Sequence, residues 1–83
     1  MASLREQVRS TMYGAISATM NKPVEELTDE TQLIADLGAK SVNLVRIIGV
    51  LEDEFDVEIN FMAFRRNKTF GDAADFVAEL VGE

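Results

Sequence analysis

The stretch that decides the fold is residues 41–56, which read SVNLVRIIGVLEDEFD. Its large apolar side chains recur at steps of three and four residues, so they share one arc of a helical wheel: Leu44, Ile47, Ile48, Leu51 and Phe55. This pattern predicts a helix with one face in a core. Three valines, Val42, Val45 and Val50, fall outside the stripe, and we expect them to be either ordinary surface residues or partner contacts.

A first helix is predicted over residues 3–19, because apolar side chains recur there with the same spacing. Ser3 can cap its first turn, with Glu6 three residues later. The helix must end before Pro23, since the residue before a proline avoids the helical region.

The connection over residues 21–40 is long, yet it carries five aliphatic side chains among its polar ones. A purely solvated loop would not hold so many. We therefore expect an ordered segment that packs across the bundle, with a short turn near residues 24–27. Structured loops of this length are usually functional.

Two helices are predicted after residue 60. Asn60 can cap a short one over residues 61–66, and Thr69, with Asp72, can cap a last helix over residues 69–80. No useful length of chain alternates with period two, so no sheet is expected. The sequence predicts one all-α domain, 1–83: a small four-helix bundle of three main helices and one short helix, with a long structured first loop.

The composition of the chain excludes several classes of function. The chain has 83 residues, no cysteine and no histidine, and its net charge of −7 comes from 15 acidic and 8 basic residues. Without these side chains, disulfides, thiolate metal sites and the commonest general base are excluded, so we expect no catalytic and no metal-binding residues. The negative net charge argues against nucleic acid as a partner, because the phosphate backbone would repel the protein. No leader and no run of about 20 apolar residues is visible, which predicts a soluble cytoplasmic protein without a membrane span.

Four segments resemble the acyl carrier protein family, and together they cover nearly the whole chain. Residues 33–41, LIADLGAKS, resemble the family's DLGxDSL motif, and residues 51–59, LEDEFDVEI, resemble its LEEEFx(I/V)EI segment. Residues 68–76, KTFGDAADF, are similar to its TVGDAVDY close. Residues 22–23 and 27–28 fit its first loop. Each motif alone is weak, but four in order are specific.

The resemblance implies a carrier of acyl chains, held as thioesters on a covalent 4′-phosphopantetheine arm. A phosphopantetheinyl transferase attaches that arm to the motif serine, Ser41 here, so the protein would be a substrate and not an enzyme. The phosphodiester would meet free N–H groups at a helix start, beside Lys40 and Val42, after a tight turn at Gly38. From the local sequence alone, Ser41 is explained as well by helix capping.

The resemblance also implies partner enzymes of fatty acid, lipid A, polyketide or nonribosomal-peptide synthesis, with basic docking surfaces for acidic helix residues. The predicted recognition residues are Val42, Arg46, Val50, Glu52 and Asp53. A solvated acidic face is the alternative, and the spacing is not that of a calcium loop. We expect a monomer.

An acyl pocket is predicted from apolar side chains near the second helix: Ile34, Leu51, Ile59, Phe61, Met62 and Phe64. Simple core filling is the alternative. The neighbouring cations Arg65, Arg66 and Lys68 are explained by solvation near a helix C-terminus.

The chain departs from the family around Ser41. Lys40 replaces the usual aspartate, Val42 the usual leucine, and Asn43 and Arg46 stand where acidic residues are common. Reversed contact charges can exclude wrong partners. We therefore hypothesise a specialised carrier of a dedicated pathway. The rival is a helical interaction module that has lost the prosthetic group.

Overall fold

A computed structural model describes residues 3–82 and shows four α-helices over that range. They are α1 (Leu4–Met20), α2 (Ser41–Phe55), α3 (Phe61–Arg66) and α4 (Phe70–Gly82), with a 3-10 turn at Val24–Glu26 in the first loop. The predicted all-α bundle of three main helices and one short helix is confirmed. Among residues 3–82 the only β pairing is an isolated bridge between Gln32 and Thr69.

Three of the four helices, α1, α3 and α4, begin where capping residues were predicted. Three side-chain oxygens each accept a backbone N–H bond: Ser3 from Glu6 at 3.2 Å, Asn60 from Ala63 at 2.9 Å and Thr69 from Asp72 at 3.2 Å. The ends of α1 and α2 are set by left-handed residues, Asn21 (φ 56°) and Asp56 (φ 53°). Asn and Asp adopt this conformation more readily than most residues. Predicted helix bounds differ from the observed ones by two residues at most.

The core lies where α1 packs against α2 and α4, and α3 contacts α2 and α4. Four of the five side chains in the α2 stripe are buried, and Phe55 is half-buried. Leu27, Leu33 and Ala39 from the long connection are also buried. The expected packing of this connection across the bundle is therefore confirmed.

Backbone bonds tie the long connection to the start of α4. The N–H of Phe70 donates to the carbonyl of Thr31 at 2.8 Å, and the N–H of Gly71 donates to the carbonyl of Asp29 at 2.8 Å. Arg9 of α1 also contacts the Asp29 carboxylate at 2.5 Å, and this hydrogen bond is the main cause that raises the pKa of Arg9. The connection is ordered because its polar backbone finds partners.

Gly71 allows the connection and α4 to approach closely, so Gly71→Ala should destabilise the protein. An added Cβ would lie 3.0 Å from both the Cβ and the carbonyl oxygen of Asp29. We expect a loss of about 1–3 kcal/mol in the free energy of unfolding, measured by urea denaturation. The matched control is Gly49→Ala in α2, where nothing lies within 4 Å and where alanine should stabilise by about 0.5–1 kcal/mol. Shifts of the same sign in both variants would contradict this explanation.

Candidate functional site

Ser41 is the first residue of α2, and its side chain is exposed. The N-cap is Lys40, with φ −102° and ψ 171°. The alternative interpretation of Ser41 as the N-cap is therefore wrong. The Ser41 hydroxyl makes no hydrogen bond with any residue in the range 3–82. An exposed hydroxyl without an internal partner is free to react.

The segment before Ser41 is held in place by its backbone. Gly38 has φ 70°, the left-handed conformation that glycine adopts without strain, so the predicted tight turn is confirmed. Its N–H donates to the carbonyl of Ile34, and that of Ala39 donates to the carbonyl of Leu33, both at 3.0 Å. Because Ala39 is also buried, the start of α2 has a defined position.

A lysine at the N-cap provides no side-chain acceptor for the backbone N–H groups of the first helical turn. Its side chain carries only donors, so it cannot accept from the first turn. Instead Asn43 Oδ1 accepts from the N–H of Lys40 at 2.8 Å, while the N–H groups of Asn43 and Leu44 donate to the Lys40 carbonyl at 2.9 and 3.0 Å. Within residues 3–82 the N–H groups of Ser41 and Val42 have no acceptor.

This donor set fits a phosphodiester on Ser41. Two backbone N–H groups at the positive end of α2 can donate to phosphate oxygens. Lys40 adds a cation beside them, which is mildly unfavourable at a bare helix N-terminus but favourable next to an anion. Among the residues described, no group of acidic side chains could hold a metal ion.

Most of the predicted recognition residues lie along one exposed face of α2. Val42, Arg46 and Val50 are four residues apart, and Asp53 follows three residues later, so they share a face. Val42 is 63% exposed and Val50 is 41% exposed. Val45, the third valine outside the apolar stripe, is also exposed.

Glu52 has a role that the sequence did not predict. Its side chain is half-buried, and Oε2 accepts a hydrogen bond from the N–H of Ile59 at 2.9 Å. This carboxylate therefore holds the link between α2 and α3. A glutamate followed seven residues later by an isoleucine gives no local signal for such a bond.

A cavity of about 480 Å³ lies between the first loop, α2 and α3. Its apolar lining is Leu33, Ile34, Ala35, Leu44, Met62 and Phe64, and its polar lining is Gln32, Arg65, Arg66, Asn67 and Lys68. Three of the six predicted pocket residues, Ile34, Met62 and Phe64, are brought together here.

The other three predicted pocket residues lie elsewhere. Leu51 and Ile59 are buried in the core, and Phe61 is half-buried against it. Their contact with an acyl chain stays a prediction. No helix within the described part of the chain is long and apolar enough to cross a membrane.

Comparisons with known proteins agree with this site. Residues 10–77 match the family model described as a phosphopantetheine attachment site. The chain is 34% identical over 82 residues to an acyl carrier protein of Phenylobacterium zucineum, covering 99% of each chain. It is 33% identical to one from Thermotoga maritima, with 99% of this chain and 100% of the relative covered. It is 34% identical over 79 residues to one from Caulobacter vibrioides, with 95% of this chain and 96% of the relative covered. The chain therefore belongs to the acyl carrier protein family, whose prosthetic group is phosphopantetheine.

Proposed function

We propose that this protein carries acyl groups as thioesters on a 4′-phosphopantetheine arm attached to Ser41. The observation that carries the proposal is the exposed Ser41 hydroxyl at the first position of α2, which has no internal hydrogen bond in the described range. The family match and the relatives' names support the same role.

Each residue near Ser41 has a part in this function. The Ser41 oxygen is the nucleophile and bonds to the pyrophosphate phosphorus of coenzyme A that bears the pantetheine. The P–O bond of the pyrophosphate bridge breaks, adenosine 3′,5′-bisphosphate leaves, and the hydroxyl proton passes to a base of the transferase. The N–H groups of Ser41 and Val42, together with Lys40, favour the resulting negative charge. Gly38 sets the turn that presents the helix start. The arm itself supplies the thiol, which the cysteine-free chain lacks.

We also propose its partners. A phosphopantetheinyl transferase loads Ser41, and acyl-transfer and synthase enzymes with basic docking surfaces read the exposed α2 face and its acidic far end. All four α-helices contribute to one core, which supports residues 1–83 acting as a single carrier domain. We further propose that it works as a monomer in the cytoplasm.

Intact mass spectrometry tests the carrier function. The purified protein is incubated with coenzyme A and a promiscuous phosphopantetheinyl transferase. We expect the mass to rise by one phosphopantetheine and peptide fragmentation to place it on Ser41. The rival function, an interaction module without the arm, is favoured by Lys40 and Arg46. No adduct with any of several transferases would support that rival.

Lys40 and Arg46 are proposed to restrict the choice of partner. The double variant Lys40→Asp, Arg46→Glu restores the acidic charges that basic docking surfaces attract. We expect its kcat/KM with a general fatty-acid-synthesis acyltransferase to rise about tenfold at low salt, mainly through faster association. The rate is measured on protein that is fully loaded with the arm.

Lys22→Glu is the matched control, because Lys22 is an exposed cation outside the α2 face. Its acyl-transfer rate should change little. Equal rates for the wild type and the double variant would refute the idea of a specialised surface, while leaving the carrier function intact.

A further inference from the structure

The cavity beside α3 joins an apolar floor to a group of cations, and we infer that the cargo is an acyl chain with a carboxylate at its far end. The inference rests on the proposed carrier function and specifies its substrate class. The aliphatic part of the chain would lie on the floor, and the carboxylate would meet Arg65, Arg66 and Lys68, which we call the basic rim.

The floor of the cavity suits an aliphatic chain. Leu33, Leu44 and Phe64 are buried side chains that face it, while Ile34 and Met62 are 44% and 54% exposed at its edge. The volume of about 480 Å³ is within the range of about 300–1,000 Å³ that is usual for small-molecule sites. Leu44 lies one helical turn after Ser41, so the cavity begins close to the origin of the arm.

The basic rim is unusual in so acidic a chain. It holds three of the eight basic residues within four positions, although 15 carboxylates are available. The ion pairs among residues 3–82 are Arg5 with Asp75 and Arg9 with Asp29. All three rim side chains are exposed, and none of them is within 4.0 Å of a carboxylate oxygen in that range.

Within residues 3–82 the side chains of these cations make no hydrogen bond to the end of α3. The last turn of α3 is already supplied with donors by Asn67, whose N–H bonds the carbonyl of Phe64 at 3.1 Å and whose Nδ2 bonds the carbonyl of Ala63 at 3.0 Å. Lys68 lies beyond the end of the helix. Arg65 and Arg66 lie in the last turn of α3, where the helix dipole favours cations, and their charged groups stay available to a ligand.

An apolar floor next to cations is complementary to an anionic amphiphile. A methyl-ended acyl chain would use the floor and leave the basic rim unpaired. A carboxylate at the far end would gain charge-assisted hydrogen bonds, and the fork of an arginine matches its geometry. We commit to cargo tethered at Ser41, because the cavity begins one helical turn from that residue.

The test compares two cargoes with the same number of carbons. The transferase loads the protein from octanoyl- or suberyl-coenzyme A, and mass spectrometry confirms each adduct. We expect the melting temperature of the suberyl form to be about 4 °C higher than that of the octanoyl form at low salt. We also expect the Arg65 and Arg66 Nε–H signals in the NMR spectrum to shift only with the suberyl chain.

Matched variants assign the effect to the basic rim. The triple variant Arg65→Gln, Arg66→Gln, Lys68→Gln should lose the difference, yet keep the wild-type melting temperature when it carries octanoyl, which shows that it folds. Lys22→Gln should keep the difference.

Two results would overturn the inference: equal melting temperatures for both cargoes in the wild type, or a difference that persists in the triple variant. If the cargoes behave alike but the triple variant binds a synthase more weakly, the basic rim reads an acidic partner surface instead. A failed carrier function is distinguishable, because no adduct would form at all.

Discussion

Replacing Ser41 with alanine will abolish phosphopantetheine loading. The substitution removes the oxygen that bonds to phosphorus, and no neighbouring hydroxyl takes its place at the start of α2. Folding should be unaffected, because the Ser41 side chain is exposed and makes no hydrogen bond within residues 3–82. We expect the free energy of unfolding to stay within about 0.5 kcal/mol of the wild type. Intact mass after incubation with coenzyme A and transferase is the measurement.

Ser10→Ala is the matched control for this prediction. Ser10 is also exposed, but it lies within α1 and not at a helix start. This variant should be loaded as completely as the wild type. An adduct on the Ser41→Ala protein would show that attachment occurs elsewhere, and loss of loading in Ser10→Ala would show that the transferase reads α1.

Phe70→Ala will cause a large loss of stability. Phe70 is fully buried at the start of α4, and its ring stacks on Tyr13 of α1, with centroids 4.3 Å apart and planes at 27°. Its N–H also bonds the carbonyl of Thr31, so it joins α1, the long connection and α4. We expect the free energy of unfolding to fall by about 3–5 kcal/mol. The total free energy of unfolding of a small domain is only about 5–15 kcal/mol, so the urea midpoint should fall steeply.

Phe76→Ala is the control, because this phenylalanine of the same helix is half-buried and makes no ring stack among residues 3–82. Phe76→Ala should lower the free energy of unfolding by clearly less than Phe70→Ala does. Phe70→Leu, which keeps most of the volume, should cost less than Phe70→Ala. Equal midpoints for Phe70→Ala and Phe76→Ala would mean that the stacked ring at the α1–α4 junction has no special weight.

Much of the fold follows from local patterns in the sequence. The stripe from Leu44 to Phe55 predicted α2 because its spacing matches the helical repeat. The caps at Ser3 and Asn60 were predictable because they act only three residues away. The turn at Gly38 was predictable because few other residues adopt its conformation. These are short-range effects, which a sequence displays directly.

The candidate site was predicted in part. The position of Ser41 at the start of α2 came from the motif and the periodicity. The identity of the N-cap did not, since serine is a far better capping residue than lysine. Only the structure shows that the Lys40 carbonyl accepts the first helical N–H bonds, from Asn43 and Leu44, so that the helix begins after Lys40 and the Ser41 hydroxyl is not used as a cap.

The sequence by itself determined four helices and their approximate ends, because periodicity, capping and turn conformation act between near neighbours. The serine proposed to receive the arm came from the resemblance of residues 33–41 to a family motif. Only the tertiary structure decided that Gly71 packs on Asp29, that Glu52 holds the N–H of Ile59, and that the basic rim borders the apolar floor. These contacts depend on how segments distant in sequence, or separated by a turn of the chain, meet around a shared core. No local sequence pattern predicts these tertiary contacts, because they depend on the packing of the whole bundle.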